Sequence, residues 1–204
     1  MSGAFVVISP GRDEEKFIPS MIASMIAQTR RPDVWVIVDD GSSDRTGAIA
    51  AEAARAHPWI RVVSRSDRGR RAVGPGVVDA FEAGLAAVDF GSFDFVGKFD
   101  LDLRLPPRYF ETLLDRFASD PRLGSASGKA WYLDSSGEEV DEGVADDMSV
   151  GAAKFYRAEC FRDVGGLVRE VMWDGIDVHR ARMLGWKVCS FRDSELRFEH
   201  LRPM

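Results

Sequence analysis

With 204 residues, 45% apolar and 29% charged, the chain has the material for one sizeable globular domain. Its 27 lysines and arginines against 33 aspartates and glutamates leave a net charge of −6, which argues against a broad nucleic-acid footprint but admits an anionic small ligand balanced by a local cation. No apolar run approaches the ~20 residues of a spanning helix, no charged leader precedes the first apolar segment, and Cys160 and Cys189 have no metal-ligand spacing, so a reduced, cytoplasmic protein is expected.

The elements alternate along the chain. "AFVVIS" (4–9) reads as a buried strand, and residues 14–28 as a helix with Phe17, Ile18, Met21, Ile22, Met25 and Ile26 on one face. "VWVIV" (34–38) is a second strand; Ser43 or Asp44 caps an alanine-rich helix, 45–57, that Pro58 stops. A strand at 60–64, a helix at 76–88, a strand at 93–99 and a helix at 107–118 continue the pattern. Strand–helix alternation implies a mostly parallel α/β sheet flanked by helices. Residues 123–133 form one or two strands, and 134–148, acidic and glycine-rich, read as a solvated loop or a lid. A strand and helix follow at 153–167, closed by Gly165-Gly166, then a helix at 174–184 and a strand at 187–191. No linker divides the chain, so residues 1–204 are expected to be a single domain.

Three predicted strand ends carry polar chemistry. "SPGRDEE" follows the first, "VDDGSSD" (38–44) the second and "KFDLDLRLPP" (98–107) the fourth. In parallel sheets, ligands bind beyond the carboxyl ends of strands. Taken alone, "DGSSD" suits a turn and a helix cap. Asp100 and Asp102, one residue apart, would share a strand face and repel, which points to a compensating cation. Hard carboxylate oxygens suit Mg²⁺ or Mn²⁺, with substrate phosphates completing the shell. "GRRAVGPG" (69–76) matches neither a dinucleotide fingerprint nor a P-loop. Arg65, Arg68, Arg70 and Arg71 form the one dense basic cluster, either a solvated turn or an anion contact.

These motifs together resemble the family-two glycosyltransferases, inverting enzymes of the GT-A fold that use nucleotide sugars. "VVISPGRDEEKFIPSMIASMIAQT", "VIVDDGSSDRT", "FVGKFDLDLRLPP", "GAAKFYRAECFRDVGGL", "WDGIDVHRARMLGW" and "EHLRP" follow the family's order along nearly the whole chain. The resemblance implies a nucleotide-sugar and metal half at about 1–105 and an acceptor and catalytic half at about 106–204. It implies that Pro10, Asp13 and Asp40 line the nucleotide pocket with help from Arg68 or Arg71. Asp102 would bind the Mn²⁺ or Mg²⁺ directly, Asp100 would contact ribose or a metal-bound water, and His200 would be a further ligand. Asp174 would be the general base. Its neighbour Asp177 competes for that role or pairs with Arg180 or Arg182.

The chain departs from the family pattern at Arg12-Asp13, where Tyr-Asn is usual, and at Trp173-Asp174, where Glu-Asp is usual. It lacks Gln-X-X-Arg-Trp, so non-processive transfer is expected. The resemblance implies an acceptor that is a sugar, a lipid-linked molecule or a small molecule, in a polysaccharide or glycolipid pathway; peripheral association with a membrane stays open. The rival reading is a catalytically silent nucleotide-sugar or carbohydrate-binding module with the same fold. A nucleotidyltransferase would need a glycine-rich loop and a lysine after the first strand, and "SPGRDEE" has neither.

Overall fold

The computed structural model describes residues 3–67, 69 and 74–202. Strand β1 (Phe5–Gly11) is followed by α1 (Ile18–Ile26), β2 (Val34–Asp39), α2 (Thr46–Ala56), β3 (Ile60–Ser64), α3 (Pro75–Leu85) and β4 (Phe95–Phe99). The second half contains β5 (Leu103–Arg104), α4 (Tyr109–Ser119), β6 (Leu123–Ser127), β7 (Ala130–Leu133), β8 (Glu139–Asp141), β9 (Ala153–Arg157), α5 (Ala158–Asp163), α6 (Trp173–Met183), β10 (Lys187–Ser190) and β11 (Phe198–His200).

Seven strands form the central sheet in the order β10-β6-β9-β4-β1-β2-β3. Neighbours run parallel except at β9, which lies antiparallel between β4 and β6. The α/β class with a mostly parallel sheet therefore stands as expected. Alternation along each strand sorts the core into two faces. Phe5, Val7, Trp35 and Ile37 pack with α1 and α4 residues such as Met21 and Phe110, whereas Val6, Ile8, Val36 and Val38 pack with Val78 and Phe81 of α3. Burial on both faces explains why these strands read as unbroken apolar runs. Helix α3 approaches closely at Gly84, where a β-carbon would lie 2.6 Å from Ile8 Cγ2 and 2.7 Å from Val38 Cγ2.

Two features position the site. Because β9 runs antiparallel, pairing Lys154 with Lys98 and Ala153 with Phe99, it starts at the edge where β4 ends. The Asp100 amide donates to the Ala152 carbonyl there (2.9 Å). A second, four-stranded sheet, β5-β11-β7-β8, stands beside that edge and carries His200. The 123–133 segment thus splits into strands of different sheets at Gly128, whose missing β-carbon leaves room for the Leu196 carbonyl. The stretch 134–148, expected as a loop, contributes β8 to the small sheet.

Candidate active site

A cavity of about 490 Å³ opens at the carboxyl edge of the central sheet. Pro10, Gly11 and Arg12 line it from the end of β1, Asp40 from the end of β2, and Asp100, Leu101 and Asp102 from beyond β4. Gly151 and Ala152 come from the approach to β9, Trp173 and Asp174 from α6, and His200 from β11. The three polar strand ends therefore meet on one edge.

The "VDDGSSD" stretch does two jobs. Asp39 closes the turn by accepting from the Ser42 amide (2.9 Å), and Gly41 takes the left-handed conformation (φ 74°). Asp40 faces the cavity, and Arg65 holds it at 2.6 Å. Asp44 accepts from the Thr46 amide (2.9 Å) at the start of α2. Arg12, at the departure from the family pattern, donates to the Asp40 carbonyl (3.3 Å) and to Asp67 (2.6 Å), fastening the loops around this end of the cavity. Asp13 is exposed, has a left-handed backbone (φ 57°) and accepts from the Ser43 amide (2.8 Å). It braces the Ser42-Ser43 turn and is absent from the cavity wall, contrary to the position expected for it. Arg68 and Arg71 lie outside the described residues.

The aspartate pair is compensated carboxylate by carboxylate. Strand β4 ends at Phe99, so Asp100 and Asp102 lie in the following turn, where strand alternation no longer applies. Lys98 Nζ binds Asp100 at 2.5 Å and the Gly151 carbonyl at 3.1 Å. Burial lifts the Asp100 carboxyl above its ordinary range against the pull of Lys98, and the Asp102 charge adds to the lift. Asp102 faces His200 Nε2 at 3.6 Å and Arg202 Nε at 3.2 Å. Burial opposes ionisation of Asp102, but His200 and Arg202 outweigh it and hold the carboxyl below its ordinary range.

His200 Nδ1 lies 2.7 Å from Glu142 Oε1. Burial disfavours the imidazolium, yet Asp102 and Glu142 together push His200 up to about 10. Glu142 comes from the acidic stretch after β8 and is nearly buried, so part of the expected loop reaches the cavity floor.

Among the described residues, no group of three or more His, Cys, Asp and Glu side chains is arranged to hold a metal by itself. Asp102 and His200 nevertheless present one carboxylate and one imidazole to the same space. Glu142 on Nδ1 leaves Nε2 directed at Asp102, the arrangement in which a carboxylate orients a ligating histidine. This donor set fits a divalent ion that draws its remaining oxygens from a diphosphate.

On the other wall, α6 starts after Met172, a left-handed residue (φ 64°), and places Asp174 in its first turn. Asp177, one turn on, does not reach the cavity. It is buried and held by Lys154 at 2.6 and 2.7 Å and by the Tyr156 hydroxyl. The expected pairing of Asp177 with Arg180 or Arg182 is not made, because those residues point outward to the Val164 carbonyl and to Asp147.

Sequence reasoning passed over Lys98, Lys154, Glu142 and Arg202. For the lysines a signal existed: "FVGKF" and "AKFYR" each put a lysine in an otherwise apolar strand, where an ammonium is seldom buried without a partner. Glu142 and Arg202 carried none, since their roles arise from pairing of distant segments.

A family model described as "Glycosyl transferase family 2" matches residues 6–140. The chain is 28% identical over 177 residues to the beta-monoglucosyldiacylglycerol synthase of Synechocystis sp., a match covering 78% of this chain and 35% of that protein. The mannosyltransferase PcManGT from Pyrobaculum calidifontis, solved with GDP-Man and Mn²⁺, shares the fold with a TM-score of 0.74 at 19% identity, over 100% of this chain and 58% of that one. TarS 1–349 from S. aureus, solved with UDP-GlcNAc, gives 0.72 at 18% identity over 98% of this chain and 59% of that one. The chain thus spans about a third of the curated relative's length and under two thirds of the solved chains.

Proposed function

We propose that this chain, which belongs to glycosyl transferase family 2, moves a sugar from a nucleotide-diphospho-sugar to an acceptor hydroxyl with inversion, assisted by a divalent metal and without processive elongation. The observation that carries the reading is the convergence of Asp40, Asp102, His200 and Asp174, from four separate elements, on one cavity.

Pro10, Gly11 and Asp40 form the nucleotide end. Asp13 serves that end by holding the Ser42-Ser43 turn beside it. Asp102 and His200 are the residues that would hold Mn²⁺ or Mg²⁺, with Glu142 fixing the imidazole. Bound there, such an ion would supply Lewis-acid stabilisation of the departing diphosphate. Asp100, restrained by Lys98, takes the ribose or a metal-bound water. Asp174 accepts the proton of the attacking hydroxyl. It comes from α6, while the phosphate-side groups come from the β4–β5 turn and β11, as single displacement requires of a base separate from the leaving-group site. A binding module that had lost catalysis would have no need of this carboxylate beside an intact metal pair.

The test is release of nucleoside diphosphate from a panel of UDP- and GDP-sugars, with lipid-linked acceptors beside small saccharides, as the name of the Synechocystis relative suggests. Turnover that EDTA abolishes, that Mn²⁺ or Mg²⁺ restores, and that Asp102→Asn loses while staying folded is expected, with an inverted product by NMR. Full turnover in EDTA, or a retained anomeric configuration, would overturn the reading.

A further inference from the structure

We infer that Lys154 is a positioning residue for Asp174, acting through a buried Lys154–Asp177–Tyr156 cluster that fixes the first turn of α6 on β9; this rests on the reading of Asp174 as the base. The helix needs such a hold. Its N-cap, Met172, makes no side-chain capping bond and sits in a left-handed conformation that β-carbon sterics disfavour. Lys154 provides the anchor. It is fully buried on β9, and its ammonium donates to both Asp177 oxygens (2.6 and 2.7 Å) and to the Asp174 carbonyl. The three donors of one ammonium thus meet acceptors only on α6, and one of those acceptors belongs to the base itself. Tyr156, two residues along the same strand, donates to the same carboxylate.

The anchor also sets where the Asp174 side chain lies. The Asp174 carboxylate rests against Gly151, where a β-carbon would lie 2.4 Å from its Oδ2 and displace it. The Gly151 carbonyl accepts from Lys98, the partner of Asp100. Lys98 and Lys154 both lie against the Trp173 ring, at 5.3 and 5.4 Å from its centroid. Two buried ammonium groups and one indole therefore connect the base helix to the strand end that carries the aspartate pair. Apolar side chains of similar volume commonly substitute for a buried ion pair without loss of stability. What they cannot supply is the bond to the Asp174 carbonyl, and a misplacement of about 1 Å is enough to cost catalysis roughly 10²-fold.

The experiment compares Lys154→Met/Asp177→Leu, Asp174→Asn and all three substitutions together. Its readouts are thermal melting, Mn²⁺-dependent binding of UDP and GDP, and nucleoside diphosphate release from the donor that wild type turns over. The double variant should stay folded, melting below wild type because the buried Tyr156 hydroxyl loses its acceptor, and bind nucleotide unchanged, with kcat lowered about 100-fold and donor KM preserved. Adding it to Asp174→Asn should lower kcat no further, because both act on one group. Should the double variant fail to fold, Tyr156→Phe is read by the same criteria and is expected to lower kcat several-fold with KM unchanged. A folded variant with wild-type kcat, or losses that multiply in the Asp174→Asn background, overturns the inference. If Asp174→Asn alone keeps full turnover, it is the reading of Asp174 as the base that fails.

Discussion

Asp102 lies between His200 and Arg202, and His200 in turn lies between two carboxylates, Asp102 and Glu142. Removing Glu142 should therefore be felt at the metal although it is not proposed to touch it. Glu142→Ala frees the imidazole to turn, and Mn²⁺ affinity should fall by roughly 10–100-fold. Electron paramagnetic resonance of free Mn²⁺, titrated with protein and nucleoside diphosphate, measures this without reference to turnover; an unchanged affinity would remove Glu142 from the site. At this scale the carboxylates were legible, since Asp40, Asp100, Asp102 and Asp174 sit in motifs with fixed order. Their partners were not. Lys98 holds Asp100 from two residues away, but Glu142 reaches His200 across 58 positions, and no local pattern announces such a pair.

At the scale of elements, α2 begins where Asp44 accepts from the amides of Thr46 and Glu15 and from the Thr46 hydroxyl. Burial opposes ionisation of Asp44, but these hydrogen bonds together hold its carboxyl below its ordinary range. A carboxylate with a depressed folded value stabilises above its unfolded pKa, near ~4, and that contribution is lost as pH falls through the folded value. Asp44→Ala should cost about 1 kcal/mol at neutral pH, and urea melts should show the difference from wild type shrinking below pH ~4. A constant difference down to pH ~2 would contradict the assignment. Helix α3 offers a second test: Gly84→Ala inserts a methyl group against Ile8 and Val38 and should destabilise by about 1–3 kcal/mol. Helix α2 was readable from its cap, its alanines and Pro58, and α3 from apolar spacing, whereas their ends moved by one to three residues from the sequence-based limits, as in α3, expected at 76–88 and found at Pro75–Leu85.

Over the whole molecule, the parallel half was readable because its strands are buried on both faces and carry continuous apolar runs. The small sheet was not. Strands β5, β8 and β11 have two, three and three residues, too short for any alternation to show, and they exist because distant segments pair. The antiparallel run of β9 was equally hidden, since direction is a property of the connection and not of the strand's own residues. Both features shape the cavity: one brings His200 to Asp102, the other brings Gly151 to Asp174.

These segments converge on one cavity proposed to take a metal and a nucleotide together, and Mn²⁺ anomalous scattering from crystals grown with UDP or GDP locates both. An anomalous peak is expected within coordinating distance of Asp102 Oδ2 and His200 Nε2, with the diphosphate on the same ion and the base beside Asp40. A nucleotide bound elsewhere, or one bound in this cavity with no peak at Asp102, would contradict it.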